Sequence, residues 1–128
     1  MTVTQEERAR LRRVRFAYRP DRELFGEVNL VIPALRTPAL FGASGAGKST
    51  IADLLMGLLQ PESGEIEVDG RPLSSADLPA WSCGIGYVPQ EVFLFHDTVR
   101  ANLLWARPEA KESEIWQALG RAAANFVR

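Results

Sequence analysis

The stretch 42-GASGAGKST-50 decides how the rest of this chain is read. It meets the pattern G-x-x-x-x-G-K-[ST] at Gly42, Gly47, Lys48 and Ser49. Glycines at such positions let the backbone turn until consecutive N–H groups point into one concavity, where a phosphate can accept from them. A helix opening at Lys48 adds the partial positive charge of its N-terminus. The Lys48 ammonium brings a full charge to β- and γ-phosphates, and the Ser49 hydroxyl is a ligand for Mg²⁺. Mg²⁺ prefers oxygen and keeps several waters, so one hydroxyl beside phosphate oxygens is a sensible start to its shell. Four fixed positions match by chance in about 0.5% of chains this long. The competing reading, a merely flexible glycine turn, does not account for the flanks. The loop follows an apolar run and opens an amphipathic helix, the context the mechanism requires.

Working outward, 39-ALF-41 reads as a short buried strand leading into the loop. From Lys48 the spacing becomes helical, with Ile51, Leu54, Leu55, Leu58 and Leu59 on one face. The segment 60-QPESG-64 is the expected stop. Upstream, 12-RRVRFAY-18 alternates, with Val14, Phe16 and Tyr18 on one side, and 28-VNLVI-32 alternates again. Downstream, 65-EIEVDG-70 predicts a strand with Ile66 and Val68 inward, closed by an Asp-Gly turn. Residues 84-GIGYVPQ-90 read as another buried strand, and a helix is expected from about Glu112 with Ile115, Leu119, Ala122 and Phe126 as its stripe. Strands alternating with helices predict an α/β domain.

The 128 residues suit one domain with a real core. A formal net charge of −1 predicts no general attraction to nucleic acid or an anionic membrane. Arg8, Arg10, Arg12, Arg13 and Arg15 crowd the N-terminal segment and read as a solvated arm or strand face, with a phosphate or lipid-headgroup contact as the alternative. Cys83 is the only cysteine, which excludes an internal disulfide and fits a reducing compartment; it is expected to pack as a small apolar residue. The polar N-terminus predicts no signal peptide, and no apolar run approaches the roughly 20 residues of a membrane span, so a soluble chain is expected.

Taken together, 14-VRFAY-18, 44-SGAGKST-50, 57-GLLQPESGEIEVDGRPL-73, 84-GIGYVPQ-90 and 94-LFHDTVRANL-103 resemble the first part of an ATP-binding-cassette (ABC) transporter nucleotide-binding domain of the exporter type. The likeness runs through nearly the whole chain. It implies a P-loop NTPase-like fold: an antiparallel β subdomain, an incomplete parallel core sheet and the start of a helical subdomain. It implies binding of ATP and Mg²⁺ by Gly42, Ser44, Gly45, Ala46, Gly47, Lys48, Ser49 and Thr50, the Walker A loop. Tyr18 matches the aromatic that stacks on adenine, a task for which a ring face is suited; without the likeness it reads as a strand aromatic. Gln90 matches the Q-loop glutamine, which reaches the Mg²⁺ and the attacking water. Lys48 and Gln90 are the residues matched to catalysis, and Ser49 and Gln90 to the metal. Phe93 and Phe95 match the neighbourhood of the groove for a transmembrane coupling helix, or else pack in a core. His96 reads as a surface residue, since the family's γ-phosphate histidine sits far downstream.

Residues 1–128 are thus expected to form a single incomplete ABC ATP-binding domain with Walker A and Q-loop. The apolar strand ending in Asp-Glu (Walker B), the Leu-Ser-Gly-Gly-Gln signature and the downstream histidine do not occur in the chain. The nearest acidic strand, 66-IEVDG-70, matches the family's outer hairpin instead. Two departures from the family pattern stand out: Leu35 where a glycine is usual, and Pro38 at the start of the loop-bearing strand. The resemblance implies work with a transmembrane domain and a second ATP-binding domain, at the cytoplasmic face of a membrane. The missing strands predict weak stability or self-association of these residues alone. Two alternatives stay open: a non-catalytic nucleotide-binding module, and a small P-loop kinase. The kinase needs an arginine-rich lid and an acceptor site, and neither is found after Gln90.

Overall fold

The computed structural model describes residues 7–124, 126 and 127. The chain divides into two compact units between Gly86 and Tyr87.

The first unit is built on a four-stranded antiparallel sheet in the order β2-β1-β3-β4. The strands are β1 Glu7–Arg19, β2 Arg22–Pro33, β3 Ser63–Val68 and β4 Arg71–Pro72. β1 is longer than its alternation predicts, because the alternation is interrupted. Ala9, Leu11, Val14 and Phe16 all face the core, although Leu11 and Val14 are three residues apart. An extra residue resolves the parity: Leu11 pairs Leu30 while Val14 pairs Val28, and on the other side Arg12 pairs Glu65 while Arg15 pairs Ser63. This β-bulge at Arg12–Arg13 returns the apolar residues to one face. Arg13 takes φ 48 there, and its N–H donates to Asn29 Oδ1 at 2.9 Å.

The arginine-rich face is the solvated face that its sequence predicts. Arg8 bonds Asp69 at 2.5 Å, Arg15 bonds Glu23 at 2.8 Å, and Arg12 lies 3.5 Å from Glu67. These pairs hold exposed arginines against acids, and water screens them, so each adds little to stability. The Asp-Gly turn is also as expected. Asp69 and Gly70 have φ 48 and 74, the left-handed pair of a tight hairpin.

Helix α1, Lys48–Leu55, packs against the sheet. Its fully buried Leu54 joins Leu11, Val14, Phe16, Phe25 and Ile66, with Ile51, Leu55 and Leu59 against the rim. The helix ends earlier than 60-QPESG-64 predicts. Gly57, at φ 76, is the residue past its cap; Leu58 N donates to Asp53 O at 2.9 Å and Gly57 N to Leu54 O at 3.0 Å. That pattern satisfies two of the last carbonyls. Leu58 consequently falls outside the helix and is exposed. A short helix not foreseen from periodicity, α2 Leu78–Cys83, closes the same end. Trp81 Nε1 donates to Leu55 O at 2.8 Å and Ser82 Oγ to Met56 O at 3.2 Å, so α2 supplies donors to carbonyls that helix termination leaves unpaired. Cys83 is exposed, contrary to its expected packing, because it stands at the open end of this one-and-a-half-turn helix.

The second unit holds α3 Val99–Ala106 and α4 Glu112–Arg121. Thr98 Oγ1 caps α3 by accepting from Ala101 N at 3.1 Å, and Glu114 Oε2 accepts from Lys111 N at 2.8 Å at the start of α4. α4 begins where predicted, but only Ile115 of its stripe is buried. The helix stops at Arg121, with Ala123 at φ 55 and Ala124 N bonded to Leu119 O at 2.9 Å. Ala122 and Phe126 therefore lie beyond it, and Phe126 is exposed.

Neither 39–41 nor 84–90 forms a strand. A buried strand needs neighbours to take up its N–H and C=O groups. Neither segment joins a ladder among the described residues, and every strand pairing found is antiparallel. Phe41 and Val88 are correspondingly exposed.

Leu35, the departure noted in the sequence, has φ 56 and is fully exposed. A left-handed leucine costs about 1–2 kcal/mol, whereas glycine loses about 0.5–1 kcal/mol in the unfolded chain. Leu35→Gly is therefore expected to raise stability by about 0.5–1 kcal/mol in chemical denaturation. Gly64 is the reverse case. It has φ 84, and a Cβ there would lie 2.3 Å from the Arg13 carbonyl oxygen across the bulge. Gly64→Ala should cost at least about 2 kcal/mol in the same assay.

Candidate functional site

The loop 42–47 crosses from irregular chain into α1, whose first residue is Lys48. Gly45 and Gly47 have φ 80 and 83, so both use the freedom for which glycine is suited. Gly47 is the N-cap of α1 and has no side chain to accept from the first turn. The opening amides of α1 thus receive no side-chain cap and no acidic residue, which leaves the helix N-terminus positive and open to an anion. Ala46 N donates to Ala43 O at 3.2 Å, closing the loop on itself.

Lys48 Nζ donates to Gly42 O at 2.9 Å and to Ala43 O at 2.7 Å. The ammonium thus lies across the loop rather than out in solvent. Ser44 and Ser49 are exposed at its margin, and Thr50, the third residue of the helix, is buried. Beneath the loop, Phe25 is packed so closely that a Cβ on Gly47 would come within 2.3 Å of its ring. The loop is therefore seated directly on the aromatic end of the sheet's core.

Tyr18, at the far end of β1, reaches the same place. Its hydroxyl shares a hydrogen bond of 3.0 Å with Thr50 Oγ1, and its ring meets Phe16 edge-on at 4.9 Å. The ring is still 63% exposed. A groove beside it is lined by Arg19, Asp21, Arg22, Glu23 and Leu24. The structure thus brings together Tyr18 and the loop residues Gly42 to Thr50, which are far apart in sequence. Nothing in the spacing alone announces the Tyr18–Thr50 bond. The features from which it could have been read are a tyrosine closing an apolar strand face and a threonine on the inward side of the helix.

Gln90 belongs to the second unit, where it is exposed in a bend after Pro89. In that unit Phe93 and Phe95 meet edge-on at 5.4 Å, and Phe95 stacks on Trp105 at 4.7 Å, all three remaining exposed to differing degrees. His96 is exposed, in keeping with a surface role. Among the described residues no cluster of His, Cys, Asp or Glu could hold a metal ion on its own. The donor set at the loop, one serine hydroxyl beside a lysine and open amides, suits Mg²⁺ that arrives with phosphate oxygens.

A glycine loop feeding the N-terminus of a helix, seated on a sheet, defines a phosphate-binding class of fold. The comparisons narrow it. The family model described as ABC transporter matches residues 25–128. An uncharacterized ABC transporter ATP-binding protein, y4gM, of Sinorhizobium fredii is 39% identical over 116 residues, covering 91% of this chain and 20% of that protein. The mitochondrial iron-sulfur clusters transporter ATM1 of Saccharomyces cerevisiae is 38% identical over 109 residues, covering 85% of this chain and 16% of its own length. Among solved structures, a bacterial Atm1-family ABC exporter with ATP bound superposes with a TM-score of 0.85 at 34% identity, over 95% of this chain and 21% of that one. The chain belongs to the ABC transporter family, and its fold is the N-terminal part of the ABC ATPase domain. It spans about a fifth or less of the length of these relatives. No helix among the described residues is long and apolar enough to cross a membrane.

Gly47→Ala would force a methyl against Phe25 at a left-handed φ. It should cost about 1–3 kcal/mol in denaturation. Gly86→Ala, with nothing within 4 Å of its Cβ, is the matched control and should stay within about 0.5 kcal/mol.

Proposed function

We propose that this chain is the ATP-binding portion of an exporter-type ABC ATPase. It takes Mg-ATP on Gly42, Ser44, Gly45, Ala46, Gly47, Lys48, Ser49 and Thr50, with Tyr18 as the platform for the base. The observation that carries this reading is the loop itself: left-handed Gly45 and Gly47, Lys48 across the mouth, and the uncapped N-terminus of α1 behind it. Backbone amides hold the phosphates, Lys48 neutralises their charge, and Ser49 completes the Mg²⁺ shell. Gln90 serves the metal and the attacking water. The reaction in the intact assembly is attack of water on the γ-phosphoryl group, favoured by positioning and charge neutralisation.

Residues 1–128 are read as one ABC ATP-binding domain that carries Walker A and Q-loop. The acidic strand and the signature are not among these residues. As given, the chain binds Mg-ATP and hydrolyses it very slowly. Its partners are a transmembrane domain and a second ATP-binding domain at the cytoplasmic face of a membrane, with export of a substrate as the outcome. Exposed Phe41 and Val88 support self-association of these residues alone. The second reading is a non-catalytic nucleotide module completed by a partner chain.

The test is calorimetry of Mg-ATP on the chain beside Lys48→Ala. The expected result is binding by the parent and at least about tenfold weaker binding by the variant, since charge-assisted bonds to phosphate contribute about 1.5–3 kcal/mol. Equal affinity in the two proteins would remove the loop from the function. Turnover far above background would exclude the non-catalytic reading.

A further inference from the structure

Tyr18 and Thr50 share one hydrogen bond of 3.0 Å between their hydroxyls, across 32 residues of sequence. Among the described residues it is the only hydrogen bond that either hydroxyl makes. The two oxygens carry two protons, and the bond uses one of them. Their surroundings differ. Tyr18 is 63% exposed, so water can meet its hydroxyl, whereas Thr50 is 5% exposed. A buried hydroxyl proton needs an acceptor from the protein or from a ligand. Thr50 is the third residue of α1, in the same turn as Lys48 and the uncapped amides. A phosphate received there brings oxygens that accept strongly.

Resting on the nucleotide reading above, we propose that Tyr18 is a positioning residue for the phosphates as well as the platform for the base. Its hydroxyl donates to Thr50 Oγ1, which leaves the Thr50 proton for a phosphate oxygen. Both hydroxyls only rotate, and no proton changes its oxygen. A threonine in a helix otherwise divides between two rotamers, helped by a bond from its hydroxyl back to a carbonyl of the preceding turn. The bond to Tyr18 competes with that turn-back and keeps Thr50 ready for the ligand. A hydroxyl that accepts one hydrogen bond also donates a stronger one, so the row from Tyr18 through Thr50 to phosphate is cooperative. The Tyr18 hydroxyl thus acts on a ligand that has no base. Inorganic tripolyphosphate is such a ligand, with the phosphates of ATP and nothing to stack on the ring.

The experiment measures the affinity of Mg-tripolyphosphate and of Mg-ATP for the parent chain, Tyr18→Phe, Thr50→Val, the double variant and Thr50→Ser. Titrations are run well below the lowest Tm of the set, so that a loss of binding is not a loss of fold. Tyr18→Phe keeps the ring and removes only the hydroxyl. It is expected to weaken both ligands by the same factor, about two- to fivefold. Thr50→Val removes the contact itself and should weaken both by about tenfold or more, as for a bond to a charged acceptor. The double variant should stay within about twofold of Thr50→Val, because Tyr18 acts only through Thr50. Thr50→Ser keeps the hydroxyl and should stay within about threefold of the parent.

Unchanged tripolyphosphate affinity in Tyr18→Phe would overturn the proposal, and a loss confined to ATP would assign the hydroxyl to the base instead. Effects that multiply in the double variant would overturn it too, since Tyr18 would then act without Thr50. The expected tripolyphosphate losses in a chain that does not bind ATP would support the proposal and overturn the nucleotide reading, so the two fail separately.

Discussion

The placement of Leu54 is the constraint on which the rest of the first unit depends. This one side chain seats α1 on the sheet, between Leu11, Val14 and Phe16 of β1, Phe25 of β2 and Ile66 of β3. A fully buried leucine contributes about 1.5–3 kcal/mol by removal from water alone. Its more specific effect is orientation. With the helix pinned at its seventh residue after the Gly47 cap, its N-terminus points past Phe25, and the loop passes over that ring. A helix that slid or rotated by one residue would move Lys48 and the opening amides together, and with them the anion site.

The sheet can receive Leu54 only because β1 corrects its own parity. A thirteen-residue strand of strict alternation would place Leu11 and Val14 on opposite faces. The bulge at Arg12–Arg13 puts them on the same face, and Gly64 on β3 supplies the space for it. The arginines that crowd this strand follow from the same geometry. They occupy the outer face, where acids on β2, β3 and the turn after β3 lie opposite, and so contribute ion pairs rather than a free basic surface. The other end of α1 is finished by α2, through Trp81 and Ser82. The helix is thus capped by side chains where it leaves the site and left open where it enters.

The chain belongs to the ABC transporter family, whose model matches residues 25–128. The chain covers about a fifth or less of the length of these relatives. The segments 39–41 and 84–90, which the sequence reads as buried strands, lack ladder partners among the described residues. Phe41 and Val88 within them are exposed.

The phosphate loop, the helix behind it and the Asp69-Gly70 hairpin were legible in the sequence, because each rests on local rules. Glycines at Gly42, Gly45 and Gly47 state a turn, Asp69-Gly70 states a hairpin, and Ile51, Leu54 and Leu55 state a helix face. The family likeness was legible for the same reason, as short motifs at fixed spacings. Four things were not. The bulge in β1 hides from period-two reading, since one extra residue inverts every position after it. The end of α1 was decided by Gly57 against Leu78 rather than by the proline further on. Whether 39–41 and 84–90 become strands depends on hydrogen-bond partners elsewhere, which no local pattern contains. The bond from Tyr18 to Thr50 exists because β1 and α1 pack across the same core. Local chemistry names the residues that can hold a phosphate; only packing decides which side chain stands beside them.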